Sequence, residues 1–139
     1  MKTITFSLHE LAILFYSFGN DVRLLHLYAS GQDFIPYHEK LNEFYDFLFD
    51  SYDTIAELAI AHKEPVDNPS FIQNPIFGPL SVKDFTSKDI CDTVIKRGNE
   101  LLDCIECLDE YESFVQSEID DITGQLDKYV NYIFTRCNA

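Results

Sequence analysis

The chain has 139 residues, 46% of them hydrophobic and 14% aromatic, with 24 acidic against 10 basic residues and a formal net charge of −14. That length suits one domain, residues 1–139, built on a single core, and the composition excludes a disordered tail protein. No apolar run reaches the length of a membrane span, and the scattered lysines and arginines exclude the clustered basic surface that grips a phosphate backbone.

The first element opens with "SLHE", a capping box in which Ser7 and Glu10 satisfy each other's end of a helix. Leu8, Leu11, Phe15, Phe18, Val22, Leu25 and Ala29 then follow a 3-4 spacing, one apolar stripe of six turns. "LAILFYSF" lies within this stripe and follows His9 and Glu10 rather than a basic region, so no secretory signal is expected there. The element closes at "ASGQDF", where Gly31 suits the left-handed residue after a helix. A second helix is predicted from about 35 to 61, with Pro36 in its first turn. Its stripe is Leu41, Phe44, Leu48, Tyr52, Ile55 and Ala59.

Between 62 and 83 the pattern breaks. "KEPVDNPSFIQNPIFGPL" holds four prolines and a glycine, which predicts a long connection with at most one short helical turn. A crossover along the length of a bundle would account for so long a link. From 86 onward the periodicity is helical again, through Ile90, Val94, Leu101, Ile105 and Leu108, then Val115, Ile119, Ile122, Leu126, Tyr129 and Ile133. An unbroken helix of about 50 residues would extend roughly 75 Å, so a turn is expected within 109–117, with Ser113 and Gln116 capping the last helix. There is no strand pattern and no internal repeat. The expected fold is all-α, a ferritin-like four-helix bundle with a long crossover between the second and third helices.

Cys91, Cys104, Cys107 and Cys137 lie in the C-terminal third. "CIEC" lacks the second pair that a zinc site needs and the βαβ context of a redox motif. Cys104 and Cys107 fall on an apolar helical face, so buried free thiols in a cytoplasmic protein are expected.

The chemistry sits in "HLYASGQDFIPYHEKLNEFYDFLFDSYDTIAEL". Asp53 and Glu57 lie one turn apart on the second helix, within reach of one cation. His38 shares their side of the helix but is about 22 Å away along the axis, whereas metal–ligand bonds are about 2 Å. Two copies packed antiparallel about a twofold axis would bring the His38 end of one helix to the Asp53/Glu57 end of the other. His26 would join His38 across the short link between the first two helices. Spacing alone leaves two readings open, a metal site between subunits and polar residues scattered on solvated helices.

The same stretch resembles the signature of the Dps family, the ferritin-like mini-ferritins named for DNA-binding proteins from starved cells. His26, Gly31, Phe34, His38, Tyr45, Asp53, Ala56 and Glu57 meet its pattern without insertion or deletion. The match covers 23–58, about a quarter of the chain. The resemblance implies a dodecameric shell that oxidises ferrous iron with peroxide or oxygen and stores the ferric product. It also implies that His26 and His38 of one subunit and Asp53 and Glu57 of its twofold mate carry the reaction and hold the iron. Three positions depart from the pattern. Asn42 stands where the family usually has an acidic ligand for a second iron, and an amide binds a hard cation more weakly than a carboxylate. Leu27 replaces the usual tryptophan, and Leu58 an arginine used near the pores. The Lys-rich tail with which some members bind DNA is not found in the sequence.

Tyr28, Tyr37 and Tyr45 are close enough to the quartet to act as hydrogen-bond partners or radical traps, or simply to pack. His9 and His62 have no acidic partner at a useful spacing and are expected on the surface. The rival reading is a repurposed acidic ferritin-like scaffold, a protein-interaction module or DNA mimic that occupies a basic partner. With a net charge of −14, the chain should not shift duplex DNA in a gel even at low salt, where phosphate contacts are strongest. A salt-sensitive shift would show a basic surface that the composition hides.

Overall fold

The computed structural model describes residues 6–66, 68 and 78–136, and the fold it shows is all-α. Helix α1 spans Leu8–Tyr28, α2 Phe34–Ala61, α3 Ser87–Glu106 and α4 Ser113–Lys128. The last helix continues through a π turn, Tyr129–Ile133, and a final turn, Phe134–Arg136. The expected crossover segment lies largely outside the described residues.

Local chemistry sets the helix ends. Ser7 caps α1 with Glu10 as its reciprocal partner, and Thr86 does the same for α3 with Asp89. Helix α2 ends in a Schellman-type closure: Glu64 N–H donates to the Ala59 carbonyl and Lys63 N–H to that of Ile60, both at 2.9 Å. Lys63 takes the left-handed conformation this requires, at φ 62°, a place where glycine is the usual residue. Gly31 is left-handed too, at φ 100°, in the link between α1 and α2.

Helices α1 and α2 form the principal pair, α3 packs on α1 and α4, and α4 also touches α2. Their shared core includes Leu11, Phe15, Phe18, Val22 and Leu25 of α1, and Leu41, Phe44, Leu48 and Ile55 of α2, all fully buried. Each such side chain contributes about 1.5–3 kcal/mol by leaving water. Two isolated parallel bridges close the ends. Phe6 pairs with Leu108 beside the start of α1, and Ala29 pairs with Phe85 beside its end. The end of α2 lies with the first of these, because Glu64 reaches the His9 N–H at 3.4 Å. A half-buried ion pair, Arg97 Nη1 to Asp21 Oδ2 at 2.7 Å, ties α3 to α1. Burial raises the Asp21 carboxyl above its ordinary range by more than the nearby guanidinium lowers it.

The structure corrects the sequence reading in the last helix. The turn is 107–112, beginning two residues before the expected region and ending within it, and Ser113 is the first helical residue rather than a cap; the N-cap, Glu112, makes no side-chain capping bond. Val130 and Phe134 are buried in place of Tyr129 and Ile133. The π turn explains the shift. Its i→i+5 bonding advances fewer degrees per residue than an α-helix, so the core face moves on by one position. At this level α3 and α4 come unusually close, for a Cβ on Gly98 would collide with Val130 Cγ2 and lie 2.7 Å from Cγ1.

Gly98→Ala would ordinarily stabilise a helix by about 1 kcal/mol, but here it should destabilise by about 1–3 kcal/mol through overpacking. Adding Val130→Ala should recover part of the loss, and urea titration of the three variants measures both effects.

Candidate metal centre

The antiparallel pairing of α1 and α2 brings the last turn of one against the first turns of the other, and there His26 meets His38. Their side chains bond crosswise. His26 Nδ1 lies 2.8 Å from the His38 carbonyl oxygen, and His38 Nδ1 lies 2.9 Å from the His26 carbonyl oxygen. A carbonyl only accepts, so in the neutral rings both Nδ1 atoms carry the hydrogen and both Nε2 atoms keep a lone pair. The His26 carbonyl is one of the last four of α1, which have no partner within the helix, so His38 also serves as a cap. The imidazoles stack at 3.7 Å between centroids, 20° from parallel. Tyr45 sets its ring edge-on to His26 at 5.2 Å, and Phe34 leans on His38 at 5.0 Å. Both histidines are half-buried.

Metal-ligating imidazoles are commonly anchored in this way, one nitrogen held by a carbonyl and the other left for the metal. Two imidazoles alone do not make a closed site. Asp53 and Glu57 are exposed on α2, and neither carries a hydrogen bond or ion pair among the described residues. Helical rise separates them from His38 by more than 20 Å. Among the described residues no three His, Cys, Asp or Glu gather in metal-binding geometry within the chain. One chain therefore unites the histidines and leaves the carboxylates apart.

Asn42 lies one turn after His38, exposed, and its Oδ1 accepts the Tyr45 O–H at 2.6 Å. The amide oxygen at the position where the resemblance would place a second-iron ligand is thus already engaged. Leu27 and Ile35 are each 63% exposed, and with Tyr28 and Phe34 they surround the histidines with uncovered apolar surface. Tyr37 is buried, its oxygen 3.5 Å from Cys91 Sγ, and belongs to the core. Leu58 is half-buried against that core.

Two expectations change at the opposite end. His62 is not an isolated surface residue: its Nδ1 faces the Leu58 carbonyl at 3.0 Å, and its Nε2 lies 3.9 Å from Glu112 Oε2. His9 packs at the same end, where Tyr111 donates its O–H to Glu64 at 2.8 Å. Burial, and then Glu64, push the Tyr111 hydroxyl up to about 12. Glu112 is 50 residues beyond His62 in sequence, so spacing held no signal for the pair.

Among the cysteines, Cys91 and Cys104 are buried and free, while Cys107 is only partly buried because it closes α3 rather than facing its core. Burial pushes the Cys104 thiol up to about 11, which suits a packed thiol rather than a reactive one. Cys137 lies outside the described residues.

The acidic residues line two open grooves. Glu43, Asp46 and Asp50 face Gln125 between α2 and α4, and Asp103, Glu106, Asp120 and Asp127 line a groove between α3 and α4. The Tyr129 O–H and Lys40 hold the Glu43 carboxyl below its ordinary range. No family model, curated protein or solved structure matches the chain.

The crosswise bonds allow ligation to be separated from folding. His38→Asn places an amide N–H where Nδ1 stood, and should cost less than about 1 kcal/mol in chemical denaturation, whereas His38→Ala should cost about 1–2 kcal/mol. Both lack Nε2, so equal loss of Co²⁺ or Fe²⁺ binding in the two, by titration, would assign that atom to the metal.

Proposed function

We propose that this chain is a Dps-like mini-ferritin that binds ferrous iron at sites between subunits, oxidises it and stores the product, without binding DNA. The observation that carries the reading is the crosswise histidine pair, two stacked imidazoles each anchored through Nδ1 to the other residue's carbonyl. In the proposed assembly, His26 and His38 of one subunit face Asp53 and Glu57 of its twofold mate. Leu27, Tyr28, Phe34 and Ile35 supply apolar surface for that contact, and antiparallel α2 helices supply its alignment.

The proposed fold within the all-α class is the ferritin-like bundle. Glu64 beside the start of α1 and Phe85 beside its end support it, since a chain joining them must run the length of the helices. A dodecameric shell is the form that the resemblance implies. No helix among the described residues is long and apolar enough to cross a membrane, and the free thiols suit the reducing cytoplasm where we place the protein.

Iron is the substrate. Imidazole Nε2 atoms suit Fe²⁺, while two carboxylates offset its charge and favour the ferric product over the ferrous. With peroxide as oxidant, two Fe²⁺ and two protons convert H₂O₂ into two Fe³⁺ and two waters. Among the described residues the Asp53 and Glu57 carboxylates have no partner that iron must displace, so in the proposed site they add negative charge without breaking a bond to those residues.

A second reading is an acidic ferritin-like scaffold that occupies a basic protein partner. The two carboxylate-lined grooves favour it, because none of their lining residues belongs to the proposed site.

Added Fe²⁺ should oxidise faster with the protein than in buffer, and His38→Ala and Asp53→Ala should each remove most of that rate. Mixing the two inactive variants under subunit exchange should restore activity, since some interfaces then hold all four ligands. Asn42→Asp should strengthen the second metal position. Wild-type protein that neither binds Fe²⁺ nor speeds its oxidation, measured by ferric absorbance, would transfer the assignment to the acidic scaffold.

A further inference from the structure

A file of aromatic rings runs along the α1–α2 face from the histidines toward the carboxylates. Tyr45, edge-on to His26 at 5.2 Å, meets Phe49 at 6.1 Å. Phe49 meets Tyr16 at 5.5 Å, and Tyr16 meets Tyr52 at 5.2 Å. Tyr52 directly precedes Asp53. The backbone leaves room for this arrangement, because a Cβ on Gly19 would stand 2.7 Å from Phe49 Cε1 and 3.0 Å from Cζ. Glycine there lets the Phe49 ring lie against α1, between the two tyrosines.

We infer that Tyr45, Tyr16 and Tyr52, bridged by Phe49, form an electron relay joining the two iron sites of a twofold dimer. The inference rests on the ferroxidase reading above. In the antiparallel dimer, the histidine end of one α2 meets one site and its carboxylate end meets the other, so the ring file of each subunit points at both.

The need for a relay follows from the ligand count. Two imidazoles and two carboxylates suffice for one ion per site, and the Asn42 amide oxygen, one turn after His38, is engaged by Tyr45. A single Fe²⁺ supplies one electron, whereas peroxide must take two to become water without releasing a hydroxyl radical. Tyr45 supplies the second. H₂O₂ takes one electron from Fe²⁺ and one from Tyr45, its O–O bond breaks, and the phenolic proton with one solvent proton completes two waters. The neutral tyrosyl radical then regains an electron through the file from Fe²⁺ at the other site, and a proton from solvent. The sum is two Fe²⁺, one H₂O₂ and two protons giving two Fe³⁺ and two waters. Phe49 is the bridge rather than a carrier. Its ring has no proton to shed, and the Arg23 guanidinium 4.6 Å from its centroid opposes positive charge on it.

The test is freeze-quench electron paramagnetic resonance on protein holding one Fe²⁺ per site, mixed with H₂O₂, with Fe²⁺ titration and hydroxyl-radical spin trapping alongside. A transient tyrosyl signal is expected in the wild type. Tyr45→Phe should abolish it and raise trapped hydroxyl radical several-fold. Tyr52→Phe should keep the signal but lengthen its lifetime several-fold, since refilling is cut while the first donor remains, an effect that loss of packing would not give. Wild-type protein that oxidises Fe²⁺ with peroxide but shows no tyrosyl signal, or variants indistinguishable from it, overturns the relay and leaves the ferroxidase reading standing. Wild-type protein that takes up no Fe²⁺ overturns both.

Discussion

The apolar seam between α1 and α2 is the constraint on which the rest of the molecule depends. Phe15, Phe18, Val22 and Leu25 on one side and Leu41, Phe44, Leu48 and Ile55 on the other are completely buried. A shift of either helix by one residue would turn about 100° of its surface away from the partner and expose several of these side chains. That seam therefore holds the relative height of the two helices to a fraction of a turn. The histidine pair is a consequence, since two hydrogen bonds at 2.8 and 2.9 Å form only at the correct height. The ring file from Tyr45 to Tyr52 is another, because Tyr16 of α1 stands between Phe49 and Tyr52 of α2.

The second pair of helices is held by different means. Helix α3 meets α1 through backbone pairing at both ends and through Arg97 and Asp21 between them. It meets α4 at Gly98, where the absence of a side chain admits Val130. The π turn accompanies this close approach and carries the core face from Leu126 on to Val130 and Phe134. Tyr129, turned out of the core, stacks on Phe44 at 4.6 Å and donates its O–H to Glu43 at 2.8 Å. Burial and this bond push the Tyr129 hydroxyl well above the ordinary tyrosine range, so it remains a donor at any physiological pH. One local change in helix geometry thus replaces a buried tyrosine with an aliphatic residue and gives the tyrosine a charged partner at the surface.

Four of the exposed large apolar residues, Leu27, Tyr28, Phe34 and Ile35, gather around the α1–α2 link, and others, such as Ile60 and Phe114, stand apart from it, while carboxylates line the grooves beside α4. Mutual repulsion across the acidic faces disfavours packing copies through them. The contact proposed above joins the apolar link end of one copy to Asp53 and Glu57 of the other, so it sets apolar surface and imidazoles, not carboxylates, against those charges.

Much of the helical content was legible in the residues. Capping boxes, a stripe of period 3.6 and left-handed Gly31 are local signals, each confined to one turn or one helix face, and α1 and α2 begin and end within a residue or so of where those signals place them. The proximity of His26 to His38 could also be anticipated, because a five-residue link leaves the helix ends nowhere else to go. Local signals fail where the deciding partner is distant in sequence. Nothing near residue 129 announces a π turn, and the close approach that accompanies it is to Gly98, distant in sequence. Nothing near His62 announces Glu112, and the turn of 107–112 contains no proline or glycine to mark it. The crosswise exchange of carbonyl and ring nitrogen depends on the height of one helix against another. That height is set by the summed packing of side chains spread along both helices, a quantity no single stretch of sequence contains.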